Sequence, residues 1–476
     1  MKKRIAVLGA GPAGLSLAYQ LLKRFGDSVE ISIFEKENVV GGISASFLKH
    51  GLFFDYGSHR LHPAIDDQLF LDIHTLLGND LLKLPRNGRI RILDRFVKFP
   101  LNPVDASLHL PLSFFGGIVK DTLQKPVRKK TTENDSFSEV LLAGLGETIC
   151  RRFYFPYAEK LWGLKPDDIA SEQAHKRIAS NSVAKIIKKA LTTMFQGSDR
   201  GGAYFYYPRK GFGQIFSEYA RAITKLGGRI LLDTEVTQID NSNSRGIKLM
   251  VKGNGAKQSG EFEADMVFTT IPVTDFIGML IPSVPGNVRE AAANLKYRGM
   301  LFHYLILKTG RLTPYDAHYF PESKYIFSRI SEPKNYYEGA EPENITGICS
   351  EIPYSAGDRI SAMTDEALTS EIIANLNECG LKTGVPVADS FTIKKPAIYP
   401  IYDRNYASHL NVIDQYLSGM SSVITLGRQG LFVHDNVHHV ISMGDKAAQC
   451  LEDDLSWNAE RWRQSRQEFK AHVVVD

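Results

Sequence analysis

The first residues read as an apolar run, a glycine turn and an amphipathic stretch in immediate succession. Ile5, Ala6, Val7 and Leu8 are apolar without interruption, as in a strand covered on both faces of a parallel sheet. Leu15, Leu17, Ala18, Leu21 and Leu22 then recur at helical spacing, and residues 29–34 form a second strand-like run. Helical periodicity dominates 136–190, broken at Trp162-Gly163; 204–207 reads as an aromatic strand and 214–226 as a helix. Strand alternation returns over 231–252, and 264–272 is a buried strand closing on a turn that contains Thr270. Residues 280–415 mix strands and helices, and 423–426 is a last strand, with a helix starting near Asn436. The fold class is α/β, a Rossmann-type domain carrying inserted helical and mixed-sheet domains.

Composition narrows the function classes. The chain has 476 residues, 43% hydrophobic and 10% aromatic, with a net charge of +4, which excludes a disordered chain and a dedicated nucleic-acid binder. Cys150, Cys349, Cys379 and Cys450 lack metal or disulfide spacing and read as reduced thiols of a cytoplasmic protein. No apolar stretch approaches the ~20 residues of a spanning helix. The polar and basic stretch 124–135 reads as an exposed linker, so membrane contact is not expected.

Gly9-Ala10-Gly11-Pro12-Ala13-Gly14 joins the first strand to the first helix, a G-x-G-x-x-G turn in its full context. Gly9 permits the turn, Gly11 lets backbone approach a pyrophosphate, and Gly14 lets helix and strand pack closely. The helix N-terminus offers N–H groups and a positive dipole end to phosphates. Glu35, followed by Lys36, ends the second strand where an acid accepts from the adenosine ribose and disfavours a 2′-phosphate. Gly41-Gly42-Ile43-Ser44 then resembles the extended fingerprint of two-dinucleotide-binding-domain flavoproteins, which points to FAD. The expected FAD-binding domain is discontinuous, from 1–95, 208–275 and 418–452. A largely helical insertion (96–207), an α+β substrate domain (276–417) and a C-terminal helix or tail (453–476) complete the chain.

Other segments supply the rest of the site. Gly57-Ser58 allows backbone to approach a flat ring, and His59 beside it faces a flavin edge or substrate. Val236 is expected to meet the adenine through its backbone. Gly427-Arg428 and the helix starting at Asp435-Asn436-Val437 close the flavin site, with Arg428 toward pyrophosphate and Asn436 as helix cap. The dipole of that helix would stabilise negative charge on the reduced ring. His434, His438 and His439 come without a thiolate or carboxylate set, and no metal is expected.

These pieces, in this order, resemble the FAD-dependent family that includes monoamine oxidases, protoporphyrinogen oxidases and UDP-galactopyranose mutases. Several look most like the mutase branch: Tyr56-Gly57-Ser58-His59-Arg60-Leu61-His62, Glu159-Lys160-Leu161-Trp162-Gly163 and Lys176-Arg177-Ile178. Arg329 stands where that branch binds a substrate diphosphate, and Tyr399-Pro400-Ile401-Tyr402-Asp403 resembles its substrate-facing tyrosine segment. Asn181 replaces a second diphosphate arginine, four residues after Arg177. The resemblance implies His59, Arg329, Tyr402, Arg177 and Tyr399 near a small substrate, such as a sugar or nucleotide sugar. The expected function is an FAD-dependent oxidoreductase taking a hydride from a small polar substrate to flavin N5. A non-redox nucleotide-sugar mutase using reduced FAD is the alternative, and a non-catalytic flavin-binding protein is a further one.

Overall fold

The computed structural model describes residues 2–100, 103–123, 135–177, 204–242, 246–253, 259–336, 342–381 and 384–474. The expected linker lies outside them except for Asp135, as do Asn181, residues 182–202 and the side chain of Arg177.

Five parallel strands form the central sheet, in the order Val423–Thr425, Met266–Thr269, Lys3–Leu8, Val29–Phe34, Arg229–Leu231. Lys3–Leu8 is central, paired with Val29–Phe34 from Lys3/Val29 to Leu8/Phe34 and with Met266–Thr269 from Ile5/Met266 to Leu8/Thr269. The uninterrupted apolar run is explained by cover on both faces. Ile5, Val7, Ile31 and Ile33 pack against helices Pro12–Phe25, Gln214–Lys225 and Val437–Gln449. Ala6, Leu8 and Phe34 point the other way, into a core shared with a second sheet.

That second sheet runs Gly260–Ala264, Ile247–Gly253, Thr234–Asp240, Leu280–Ile281, the first three strands antiparallel. Its first three strands form a short excursion between Arg229–Leu231 and Met266–Thr269, which returns the chain beside Lys3–Leu8, and Leu280–Ile281 joins the sheet afterwards.

A seven-stranded sheet stands apart, in the order Val387–Pro400, Tyr297–Leu307, Thr346–Tyr354, Arg329–Ser331, Ala317–Tyr319, Gly88–Ile92, Arg95–Phe99. The boundary expected at residue 95 falls within its terminal hairpin, both strands of which extend this sheet. Asp316 helps to pin the hairpin by accepting the Asn87 N–H at 3.1 Å.

The stretch between these sheets is helical where described. Phe137–Leu145 starts at a capping box in which Ser136 and Glu139 satisfy each other's backbone N–H groups. Phe155–Trp162 ends at Gly163, whose φ of +69° is the left-handed C-cap conformation that favours glycine. Strand Tyr204–Pro208 then returns the chain by pairing with Leu81–Pro85.

The crossing of Pro12–Phe25 with Val437–Gln449 depends on Gly444, where a Cβ would lie 2.4 Å from Ala13 O and 2.8 Å from Leu17 N. Gly444→Ala should destabilise the protein by about 1–3 kcal/mol in denaturant unfolding, because backbone must move. Gly278, helical but facing open space, should tolerate alanine with a gain of up to ~1 kcal/mol. Equal effects at both positions would contradict this packing.

Candidate functional site: a dinucleotide cavity

The glycine turn ends the central strand and starts the first helix. Gly9 adopts φ +101°, and a Cβ there would sit 2.2 Å from Thr270 Oγ1. A Cβ on Gly14 would lie 2.2 Å from Gly9 O, so the helix can touch the strand only as it is. The first intrahelical bond runs from Leu15 N to Gly11 O, at 3.0 Å. The N–H groups of Ala13 and Gly14 precede it and point out of the helix end. Gly11 faces open space.

Two further segments close on this turn. Gly41 has φ +104° and donates its N–H to Ala10 O at 2.8 Å, which sets Gly42 against Gly11. Gly427, with φ +75°, places its Cβ direction 3.0 Å from the Ala13 side chain. Glu35 accepts from Ala10 N at 2.8 Å and from Glu37 N at 3.0 Å. Burial raises its pKa, and those two N–H donors partly counter the shift.

A cavity of about 500 Å³ extends from this turn to the edge of the seven-stranded sheet. Gly9, Gly11, Pro12, Ala13, Glu35 and Lys36 line one end, with Gly42, Ile43 and Ser44 beside them. Val236, Thr270, Gly427, Arg428, Asp435, Asn436 and Val437 form further walls, and Ser58, His59, Arg329 and Tyr399 line the end farthest along the sheet. Gly14, Gly41 and Gly57 are not in the lining; they let the backbone behind it come close. Asn436 takes the N-cap position of Val437–Gln449, with φ −78° and ψ 163°.

Tyr402, expected beside the substrate, is instead buried in the core away from the cavity. Its hydroxyl donates to Phe432 O at 3.0 Å, and its ring stacks on Tyr406 at 3.9 Å. The cause is alternation: Tyr399 and Tyr402 are three residues apart across the end of strand Val387–Pro400, and only Tyr399 lies on the cavity side. Arg177 ends helix Ser171–Arg177, and its side chain lies outside the described residues.

The sheet-side wall is organised by one carboxylate. Glu351 receives Arg329 through Nε and Nη2, both at 2.7 Å, and also accepts the Ser58 N–H at 2.8 Å. A Cβ on Gly57 would come within 3.0 Å of this carboxylate, and φ is +85° there. Burial works against the charge on Arg329, but Glu351 outweighs it and holds the guanidinium pKa above its ordinary value. Burial, together with Arg329 and Arg428, pulls His59 down to about 3, so its imidazole is neutral at pH 7. The Arg428 guanidinium lies 4.8 Å from the centre of the Tyr399 ring.

Sequence reasoning missed Glu351, Gln429 and the roles of Arg60 and Lys395. Arg60 pairs with Asp316 at 3.2 Å, Lys395 with Glu37 at 3.2 Å, and Gln429 donates to Ala397 O at 2.9 Å. A usable signal existed for Glu351: it is the one carboxylate in the otherwise apolar or small run Thr346–Tyr354. His434 donates to Pro400 O at 2.7 Å, whereas His439 and, unexpectedly, His472 converge on Asp435 at 3.1 and 3.2 Å. Burial opposes ionisation of Asp435, but these two rings reverse that and keep its pKa below the ordinary value.

The residues present fit a flavin dinucleotide. Ser44 Oγ, Gln429 Oε1 and Asp435 Oδ2 are buried in the lining without a hydrogen-bond partner among the described residues. A cradle free of Cβ atoms at Gly11, helix N–H donors for phosphate and an accepting carboxylate at the second strand complete the set. The family model for flavin-containing amine oxidoreductases matches residues 12–400. The chain belongs to that family. FAD is its cofactor.

Protoporphyrinogen oxidase 2 of Arabidopsis thaliana is 25% identical over 204 residues, 40% of this chain and 39% of that one, so the match spans about two fifths of the relative. Among solved structures, reduced UDP-galactopyranose mutase superposes with a TM-score of 0.80 at 19% identity, over 100% of both chains. A putative protoporphyrinogen oxidase from Exiguobacterium sp. 255-15 superposes at 0.72 and 16% identity, over 94% of this chain and 98% of that one. Both likenesses are of fold.

Gly11→Leu should fill the open cradle and lower FAD affinity by about tenfold or more, the equivalent of a lost phosphate contact worth ~1.5–3 kcal/mol. The ratio of flavin to protein absorbance checks this, and full occupancy in a folded variant would contradict it. His59 gives a second prediction. Its folded pKa lies below its unfolded one, so it contributes a loss of stability as pH falls from about 6.5 toward 3. His59→Gln should flatten the fall in melting temperature across that window; an unchanged slope would contradict the shift.

Proposed function

We propose that the chain is an FAD-dependent oxidoreductase of the amine oxidase and protoporphyrinogen oxidase type. Its substrate is small and polar, held against the wall of His59, Arg329 and Tyr399. The observation that carries this reading is that one cavity runs unbroken from the fingerprint turn to that wall. FAD, when bound, supplies the two-electron acceptor.

The chain's own residues bind and orient. Glu351 takes one N–H each from Nε and Nη2 of Arg329, which leaves Nη1 and the second N–H of Nη2 to address a substrate oxygen. The fork is held rigid, and little rotamer freedom is lost on binding. His59 is too weak a base to remove a proton at neutral pH; its neutral ring orients a substrate hydroxyl or amine by hydrogen bonding. The Arg428 guanidinium lies over the Tyr399 ring, and the two cover the adjoining wall. The apolar and small residues Ile43, Pro396 and Ala397 help to exclude water.

A second reading, a nucleotide-sugar mutase that uses reduced FAD without net redox, is favoured by two observations. The likeness to reduced UDP-galactopyranose mutase extends over the whole of both chains. Arg329 and Tyr399, two of the residues that the resemblance assigns to substrate, share the cavity.

Anaerobic mixing separates the readings. An oxidoreductase bleaches the oxidised flavin band with its substrate, and Arg329→Lys should lower kcat/KM by about 10–100-fold, the loss of a charge-assisted contact of ~1.5–3 kcal/mol. Conversion of a UDP-hexose only by dithionite-reduced enzyme, with no bleaching of the oxidised form by amines, porphyrinogens or sugars, would replace the first reading with the second.

A further inference from the structure

Helices Pro103–His109 and Leu112–Leu123 follow the hairpin that ends the seven-stranded sheet, and their outer face is apolar. The inner face of Leu112–Leu123 is already satisfied. Phe114 and Phe115 pack on the core around Ile90 and Tyr319, and Ile118 packs on the helical core. Asp121 is buried and accepts the Thr148 N–H at 2.7 Å. The opposite stripe, where an ordinary surface helix is polar, is Leu112, Gly116, Val119 and Leu123 at helical spacing, all exposed.

The exposure is large and concentrated. Leu112 is 86% exposed, and Leu123 and Leu108 are 76% each. Five of the nine exposed large hydrophobic residues among those described fall within 104–123, so this is a patch and not scatter.

Its charge has one sign. Among the described side chains of 104–123 no carboxylate is exposed: Asp121 is buried and Asp105 is turned in to accept the Lys98 N–H at 2.7 Å. Lys120 is exposed between Val119 and Leu123, and His109 is exposed beside Leu108. In sequence, the next seven residues include Lys125, Arg128, Lys129 and Lys130.

We propose that this face docks on an anionic lipid surface. Leu108, Leu112, Val119 and Leu123 enter the boundary between headgroups and acyl chains, and Lys120 lies among the headgroups. A helix with an apolar stripe and flanking cations lies in the plane of such an interface. No helix among the described residues is long and apolar enough to cross a membrane, so the attachment is peripheral. A second copy of the same face is the poorer partner, because a two-fold contact sets one cationic surface against another. The docking is independent of the reading of the flavin site, and it revises the expectation of no membrane contact.

The test is co-sedimentation of the FAD-loaded protein with vesicles of phosphatidylcholine alone and of phosphatidylcholine mixed with phosphatidylserine. Binding to the mixed vesicles is expected to exceed binding to the neutral ones and to weaken with added salt. Leu112→Glu combined with Leu123→Glu should reduce it by about tenfold or more, since each removes apolar area from the interface and adds a charge that anionic headgroups repel. An unchanged flavin spectrum establishes that the variant is folded; should it fail to fold, Lys120→Glu replaces it, with a smaller loss expected. No binding to mixed vesicles, binding indifferent to these substitutions, or a concentration-dependent dimer that the substitutions dissolve in place of vesicle binding would each overturn the proposal.

Discussion

The cofactor end depends on close approaches that only glycine permits. Gly9 lies against Thr270, Gly14 against Gly9, Gly427 against Ala13, and Gly444 against the Ala13 carbonyl. These contacts bring together pieces of chain more than 400 residues apart in sequence, around one helix N-terminus. A methyl group at Gly14 or Gly444 would meet backbone and separate a helix from its neighbour by more than local relaxation absorbs, while Gly9 is fixed by its φ of +101°. The assembly of the central sheet from separated parts of the chain and the shape of the cavity at its edge therefore have a single cause.

The far end of the cavity depends on electrostatics. Glu351 serves Arg329 and the Ser58 backbone together, so the loop after Gly57 and the strand Arg329–Ser331 are held by one carboxylate. Removing one partner of such a buried pair costs about 3–5 kcal/mol, because the other charge is left uncompensated. The helical segment is tied to the same sheet by Lys160, which donates to Phe320 O at 2.7 Å and Phe327 O at 3.1 Å and contacts the Glu322 carbonyl. Burial lowers the Lys160 pKa to about 7, so this tie responds to pH near neutrality. At the other side His472 reaches Asp435, and Val474 N donates to Lys176 O at 2.9 Å. The C-terminal residues thus bridge the flavin end and the helical segment.

Legibility in the sequence follows the range of the interactions. The fingerprint was readable because strand, turn, helix and acid are contiguous and each residue type has a local reason. Gly41-Gly42 and Gly427-Arg428 were readable as glycine turns beside strands. The run around Glu351 marks it as an unusual carboxylate but does not name its partners Arg329 and Ser58, since only the pairing of Arg329–Ser331 with Thr346–Tyr354 brings Arg329 to it. Tyr402 was misplaced because a motif names residues without saying which way each faces at a strand end. The expected boundary at residue 95 cuts through the hairpin 88–99, whose apolar face matches the edge strand Ala317–Tyr319. Long-range pairing of this kind has no signature within either segment.

The central claim is that one cavity holds FAD from Gly11 to the wall of His59 and Arg329. A crystal structure of the purified yellow protein tests it most directly. The account predicts flavin density with pyrophosphate at the N-terminus of helix Pro12–Phe25, ribose at Glu35, and the ring bordered by His59 and Arg329. Flavin density outside this cavity, or a ring placed away from His59 and Arg329, would contradict it.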